Sequence, residues 1–185
     1  MKRLGTVLVL ALVSVLCACG GGGGAADGGG GGGSTNVNAG FVPDVASPGA
    51  NSVSLAESSS SGNAVTVNVN LTDVSGVYSA GFDLTFDSSR VTFQGYTPGS
   101  VLEQGGNTPT YAVNQVTAGR IRVGATRQGN AAEVTVSGSQ PVIRLNFRVT
   151  DLRTFAASLS QGAVTDDQAQ SLAGISWNAG SFVGS

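Results

Sequence analysis

The 185-residue sequence has no histidine, two cysteines, one tryptophan and one lysine. Each shortage excludes a chemistry. Without histidine there is no Ser-His-Asp or Cys-His nucleophile, and a zinc site built from His and Cys has no ligands. The cysteines, Cys17 and Cys19, both sit beside an apolar stretch near the N-terminus, so no disulfide can staple the region that follows. Charged residues make up only 11% of the chain. Past residue 18 the cations are seven arginines, from Arg90 to Arg153, set against eleven acids, a net charge of −4. Such a chain has no basic patch and is not expected to bind nucleic acid. Carboxylates, hydroxyls, tyrosines and arginines are what remain for function.

The carboxylates do not assemble into a catalytic pattern. Glycoside hydrolysis needs two carboxyl groups ~5–9.5 Å apart across a cleft. The nearest pairs in sequence are Asp83 with Asp87, and Asp166 with Asp167. Asp87 reads as a turn cap, bonding its own backbone through its side chain. Asp166 and Asp167 fall in a loop between apolar runs, and adjacent residues of a strand would point to opposite faces. The EF-hand spacing for calcium is absent. No enzymatic activity, no cofactor and no metal site are expected.

The N-terminal segment carries an address. Lys2 and Arg3 precede an apolar run from Leu4 to Leu16. A charged start and a short apolar run are the marks of a secretory signal, and the run is too short for a bilayer-spanning helix, which takes ~20 residues. The string Leu16-Cys17-Ala18-Cys19 resembles the bacterial lipobox. The resemblance implies residues 1–18 as a lipoprotein signal peptide and Cys19 as the acylated residue. The alternative is an ordinary signal peptide with incidental cysteines. Gly20 follows Cys19 and no Asp does, which by the same resemblance favours the outer membrane. Each buried acyl CH₂ contributes only ~0.8 kcal/mol, so stable anchoring takes more than one chain. Glycines 20–24 and 28–33 cannot build a core. Residues 19–48 are expected to form a flexible tether with an r.m.s. span of ~30 Å.

From residue 49 to 185 the pattern has period two. Val65, Val67, Val69 and Leu71 alternate with polar residues; so do Phe82, Leu84 and Phe86, then Ile121, Val123 and Ala125, then Ile143, Leu145, Phe147 and Val149. Such runs are strands with one face on a core and one in water. Turn residues separate them, as in Thr97-Pro98-Gly99 and Arg127 to Asn130. About nine short strands without a convincing amphipathic helix mean an all-β sandwich or barrel. Trp177 and Phe182 read as core anchors on one closing strand.

The strand-turn-strand Ala80-Gly81-Phe82-Asp83-Leu84-Thr85-Phe86-Asp87-Ser88-Ser89-Arg90-Val91-Thr92-Phe93, followed by Tyr96-Thr97-Pro98-Gly99-Ser100-Val101-Leu102 and later by Gly119 to Gly124 and Ile143 to Val149, resembles a cohesin domain over about Val53 to Val183. The resemblance implies a nine-stranded jelly-roll β-sandwich, related in architecture to carbohydrate-binding modules. It implies a protein partner too, a calcium-loaded dockerin captured on one flat sheet face, with the calcium belonging to the dockerin. Cellulosomal cohesins often carry Asn and Asp on the outward side of the first motif strand, where this chain has Ser79 and Gly81. Asp87-Ser88 stands where Asp-Pro is usual.

The expected partner face is Gly81, Asp83, Thr85, Arg120, Arg122, Gly124 and Thr126, joined by Arg127 from the following loop. Glycines flatten a sheet face, and arginines offer planar forked donors for carboxylates and carbonyls. A carbohydrate-binding module is the alternative, with Tyr78, Tyr96 and Tyr111 as the stacking platforms for a polysaccharide. A third reading is an accessory lipoprotein of a secretion or pilus assembly.

Overall fold

Alternating β-branched and polar residues pair into ladders only where one side of the ladder can be buried. In this chain two such ladders face each other. The structure, a computed structural model, describes residues 37–185. The expectations placed on the signal peptide, on Cys19 and on the glycine runs lie outside the described residues.

Eleven strands form two sheets. They are β1 (Ala39–Pro43), β2 (Ser52–Ser61), β3 (Ala64–Thr72), β4 (Ser79–Thr85), β5 (Val91–Pro98), β6 (Thr110–Thr117), β7 (Arg120–Thr126), β8 (Ser139–Val149), β9 (Phe155–Thr165), β10 (Ser176–Asn178) and β11 (Gly180–Gly184). A short 3₁₀ turn, Val101–Gly106, joins β5 to β6. The six-stranded sheet has the order β1-β11-β9-β4-β7-β6, and the five-stranded sheet β10-β2-β3-β8-β5. Every pairing is antiparallel except β10 with β2. The class is the expected one, an all-β sandwich.

The inward faces carry the periodic residues. Val65, Val67, Val69 and Leu71 of β3 are buried, as are Phe82 and Leu84 of β4, Ile121 and Val123 of β7, and Ile143, Leu145, Phe147 and Val149 of β8. Phe147 joins the sheets: its ring lies 4.9 Å from that of Phe182 on β11, 5.4 Å from Phe86 and 5.6 Å from Phe93, at inclined angles. Phe41 of β1 meets Phe182 edge-on at 5.1 Å. Offset and edge-to-face rings are each worth about 0.5–1.5 kcal/mol beyond the area they bury.

Two strands exceed the expected nine, each for a physical reason. β1 lies inside the stretch 19–48 assigned to the tether. Gly40 and Pro43 make its composition loop-like, but Phe41 is buried and β1 pairs along its length with β11. The expected closing strand is two strands. Trp177 sits in β10 beside Val53, and after Ala179 the chain crosses to β11 in the opposite sheet, where Phe182 pairs with Phe155. The crossing is tight, since a Cβ at Gly180 would stand 2.5 Å from the Phe41 ring.

β9 carries a bulge that matters for the outward face. Opposite β4, Ala163 pairs with Gly81 but Ser160 pairs with Asp83, which leaves Gln161 and Gly162 to span one position. Gln161 adopts φ 50°, unusual for a residue with a Cβ. Gly162 is required there: any Cβ would run into the indole of Trp177, which packs over it from the other sheet.

Truncating Phe147 to alanine is expected to cost about 3–5 kcal/mol of unfolding free energy. Gly162→Ala is expected to cost about 1–3 kcal/mol through overpacking against Trp177. Denaturant titrations of both variants check these values, and an unchanged Gly162→Ala midpoint would refute the second.

Candidate functional site

Period-two geometry sends the odd-numbered residues of β4 and the even-numbered residues of β7 outward. In the β4–β7 ladder Ser79 stands opposite Thr126, Gly81 opposite Gly124, Asp83 opposite Arg122 and Thr85 opposite Arg120. The structure therefore places Gly81, Asp83, Thr85, Arg120, Arg122, Gly124 and Thr126 on one side of neighbouring strands. β9 and β6 extend the same face with Ser158, Ser160 and Ala163 on one flank, and with Thr110, Ala112 and Asn114 on the other.

Asp83 is its electrostatic centre. Only 1% of the residue is exposed, although it lies on the outward side, because two guanidiniums cover it. Arg122 donates from Nε to Oδ1 at 2.8 Å and from Nη2 to Oδ2 at 3.0 Å. Arg120 donates from Nε to Oδ2 at 2.9 Å and adds a short ion-paired contact through Nη2. The hydrogen bonds from Arg122 and Arg120 hold the Asp83 carboxyl at about 2, well below the usual carboxylate range, against the opposing effect of desolvation. The same contact raises Arg122. Gln161 closes the group: its Oε1 accepts from Arg120 Nη2 at 3.2 Å and from Arg122 Nη2 at 3.3 Å.

Beside this cluster the face is a shelf of small residues. Ser79, Gly81, Thr110, Ala112, Gly124 and Thr126 line an open depression of about 250 Å³. A Cβ at Gly124 would meet nothing within 4 Å, and Gly81 meets only the Val123 carbonyl, at 3.6 Å. The hydroxyls between β4 and β9 satisfy one another, Ser79 with Thr165 at 2.7 Å and Thr85 with Ser158.

Arg127 does not belong to this face, which corrects the expectation. It is 5% exposed and points inward, donating from Nη1 to the Leu102 carbonyl at 2.7 Å and from Nη2 to the Gln104 carbonyl at 2.8 Å. It clamps the 3₁₀ turn, whose carbonyls take up its charge in place of a carboxylate.

The three tyrosines do not share a platform. Tyr78 donates its hydroxyl to the Gly129 carbonyl at 2.7 Å and so fixes the loop after β7. Tyr96 and Tyr111 are ring neighbours at 6.2 Å, tilted by 38°. Tyr111 is half-buried and shares its proton between the Gly99 and Val142 carbonyls, while Tyr96 is 40% exposed. Burial, then Glu103, raises the Tyr111 phenol.

The remaining carboxylates behave as turn and loop supports. Asp87 accepts from the Ser89 N–H at 2.9 Å, as expected of a cap. Glu133, which the sequence reading did not single out, joins Asp166 and Asp167 in an acidic cluster within 4.8 Å. Backbone donors already occupy part of it: Gln168 and Gln170 bond Asp166, and the Asp167 N–H bonds Glu133. Gln161 was missed as well. Its signal was present: the buried residues of β9 shift from odd numbers, Ala157, to even, Val164, as only an inserted residue allows.

Comparison with known proteins matches residues 50–182 to the family described as Cohesin domain. No curated protein matches the chain. Among solved structures, CaCohA2 from Clostridium acetobutylicum aligns with 18% identity over 80% of this chain and 90% of its own, at a TM-score of 0.53. A type II cohesin domain from the cellulosome of Acetivibrio cellulolyticus aligns with 12% identity over 80% and 95%, at 0.54. The third cohesin of ScaC from the same organism, solved in complex with the ScaB dockerin, aligns with 18% identity over 64% and 86%, at 0.53. At these identities the likeness is one of fold.

The lowered carboxyls predict an acid limit. Asp83 and Asp151, the latter held at about 2 chiefly by its hydrogen bond from Arg153, contribute stability that is complete above the unfolded carboxyl value of 3.8 and is lost as pH falls toward 2. Melting temperature is expected to be flat from neutral pH to pH ~5 and to drop below pH ~4. In Asp83→Asn the neutral-pH melting temperature is expected to be lower and the acid drop shallower. An Asp83→Asn protein with an unaltered acid profile would contradict the assignment.

Proposed function

This chain belongs to the cohesin domain family, and on that premise we propose that it is a binding module, held at the cell envelope, that captures a dockerin-type protein partner on the outward side of β9, β4, β7 and β6. The observation that carries the reading is the small-residue shelf set beside the Asp83–Arg120–Arg122 cluster. A rigid, flat surface lets an element of a partner approach the backbone closely, and anchored guanidiniums lose little entropy on contact. The dockerin complex known for the ScaC cohesin supports the class of partner. Ser79 and Gly81, in place of Asn and Asp, make the shelf smoother and less polar, so the preferred partner differs from those of cellulosomal cohesins.

Cys19 supplies the anchor in this reading, acylated after cleavage of residues 1–18, with the outer membrane as the site. A link to polysaccharide breakdown enters through the cargo: a dockerin fused to a carbohydrate-active enzyme would be retained at the surface, the module contributing capture and no chemistry.

Two experiments test the two halves. Gly124→Arg fills the shelf from a position where a Cβ meets nothing, so its melting temperature is expected to match the parent. Its affinity for a calcium-loaded dockerin partner, measured by surface plasmon resonance with an EDTA control, is expected to fall by ~30-fold or more, about 2 kcal/mol. Equal binding by Gly124→Arg would place the docking surface elsewhere. For the anchor, cells fed an alkyne-labelled fatty acid are expected to label the parent protein and not Cys19→Ala, which moves to the soluble fraction.

A further inference from the structure

We infer that the partner seated on this face presents a carboxylate-bearing segment to the outer N–H groups of Arg120 and Arg122. The inference rests on the docking reading above and specifies its chemistry.

The charge on the face is of one sign. Along the outward positions of β9, β4, β7 and β6 the only carboxylate is Asp83, and it is buried beneath both arginines. Two guanidiniums against one carboxylate leave a net positive spot, on a chain whose overall charge is −2. The arginine side chains remain open to solvent, at 32% for Arg120 and 55% for Arg122.

The donors on that spot divide into used and unused. Asp83 and Gln161 take Nε and Nη2 of both arginines. Among the described residues no hydrogen bond reaches Nη1 of either one. Each Nη1 carries two N–H groups, so four donors remain on forks whose inner edges are already pinned. Neighbouring hydroxyls are paired with one another across β4 and β9. Ser160 and Asn114 on the same face also lack a side-chain hydrogen bond among the described residues, but the guanidiniums are the charged groups there with donors to spare, and the natural complement of a charged donor is a carboxylate oxygen. Electrostatic complementarity of this kind selects partners and speeds encounter more than it adds affinity. Nucleic acid is disfavoured because two arginines on an acidic chain give no phosphate-tracking stripe. Asp83 and Gln161 are positioning residues: they hold the forks and do not themselves touch the partner.

The test uses the full-length protein in detergent micelles, with capped hexaglutamate as probe and capped hexaglutamine as its uncharged control, followed by NMR of the arginine Nε–H resonances. Hexaglutamate is expected to shift Arg120 and Arg122 and to leave Arg144 and Arg148 in place, with its apparent affinity falling at least fivefold between low and high salt. Hexaglutamine is expected to shift neither. The Arg120→Gln/Arg122→Gln double variant is expected to lose the response. Because that variant leaves Asp83 buried without a cation, Arg122→Lys serves beside it: it keeps the charge, removes one fork and is expected to weaken the response severalfold. Equal shifts from both peptides, or a full response in Arg122→Lys, would overturn the inference. So would dimers in sedimentation that depend on the Glu133–Asp166–Asp167 cluster, since a second copy would then be the occupant. Failure here separates from failure of the docking reading. If Gly124→Arg blocks a folded partner while hexaglutamate shifts nothing, the face is right and the acidic chemistry is wrong.

Discussion

Two opposed aromatic rings, Phe147 on the five-stranded sheet and Phe182 on the six-stranded one, hold this domain together. The described residues include no cysteine and no histidine, so no disulfide or His-ligated metal can lock the two sheets. The sandwich stands on dispersion and apolar burial between inward faces. Phe41, Phe86 and Phe93 gather around the same pair, drawn from β1, from the connection that follows β4 and from β5. Closing this cluster brings long-range strands into register, and the register in turn decides which side chains are left outside.

That dependence runs through to the outward face. Trp177 enters from the opposite sheet, packs against Phe82 and leaves no room for a side chain at position 162. β9 bulges at this same point, and the bulge brings Gln161 to the two arginines. A core contact and a surface cluster thus meet at one bulge. Asp83 adds the electrostatic part: a carboxylate that would be exposed on a bare strand is sealed by its neighbours, which converts two mobile side chains into fixed donors.

Much of this was legible from alternation alone. Period two assigned Val65, Val67, Val69, Leu71, Ile121, Val123, Ile143, Leu145 and Phe147 inward, because each strand has one wet side. The same rule brought Asp83, Arg120 and Arg122 together once β4 and β7 were taken as neighbours. Where the reading failed, composition had been allowed to overrule parity or pairing. Arg127 continues the inward series Ile121, Val123, Ala125 and is inward; its charge suggested otherwise, and only the free carbonyls of the 3₁₀ turn explain how a guanidinium can sit there. Strand β1 looks like linker because Gly40 and Pro43 flank its aromatic, and its pairing partner lies some 140 residues away in sequence. Gln161 follows from a bulge that the local pattern reports only as a change of parity between Ala157 and Val164, without saying which residue is the extra one or what it faces.

Strand β1 has a mechanical corollary. It is bonded along one side to β11, and on the other side the Phe41 N–H bonds the Glu57 carboxylate of β2 at 2.6 Å while the Ala39 N–H bonds the carbonyl of Gly62, in the turn that joins β2 to β3 of the opposite sheet, at 2.6 Å. A pull arriving along the chain from residue 37 meets a strand gripped by both layers. Tension would have to break the two grips together, so the first strand resists peeling more stubbornly than its five residues suggest.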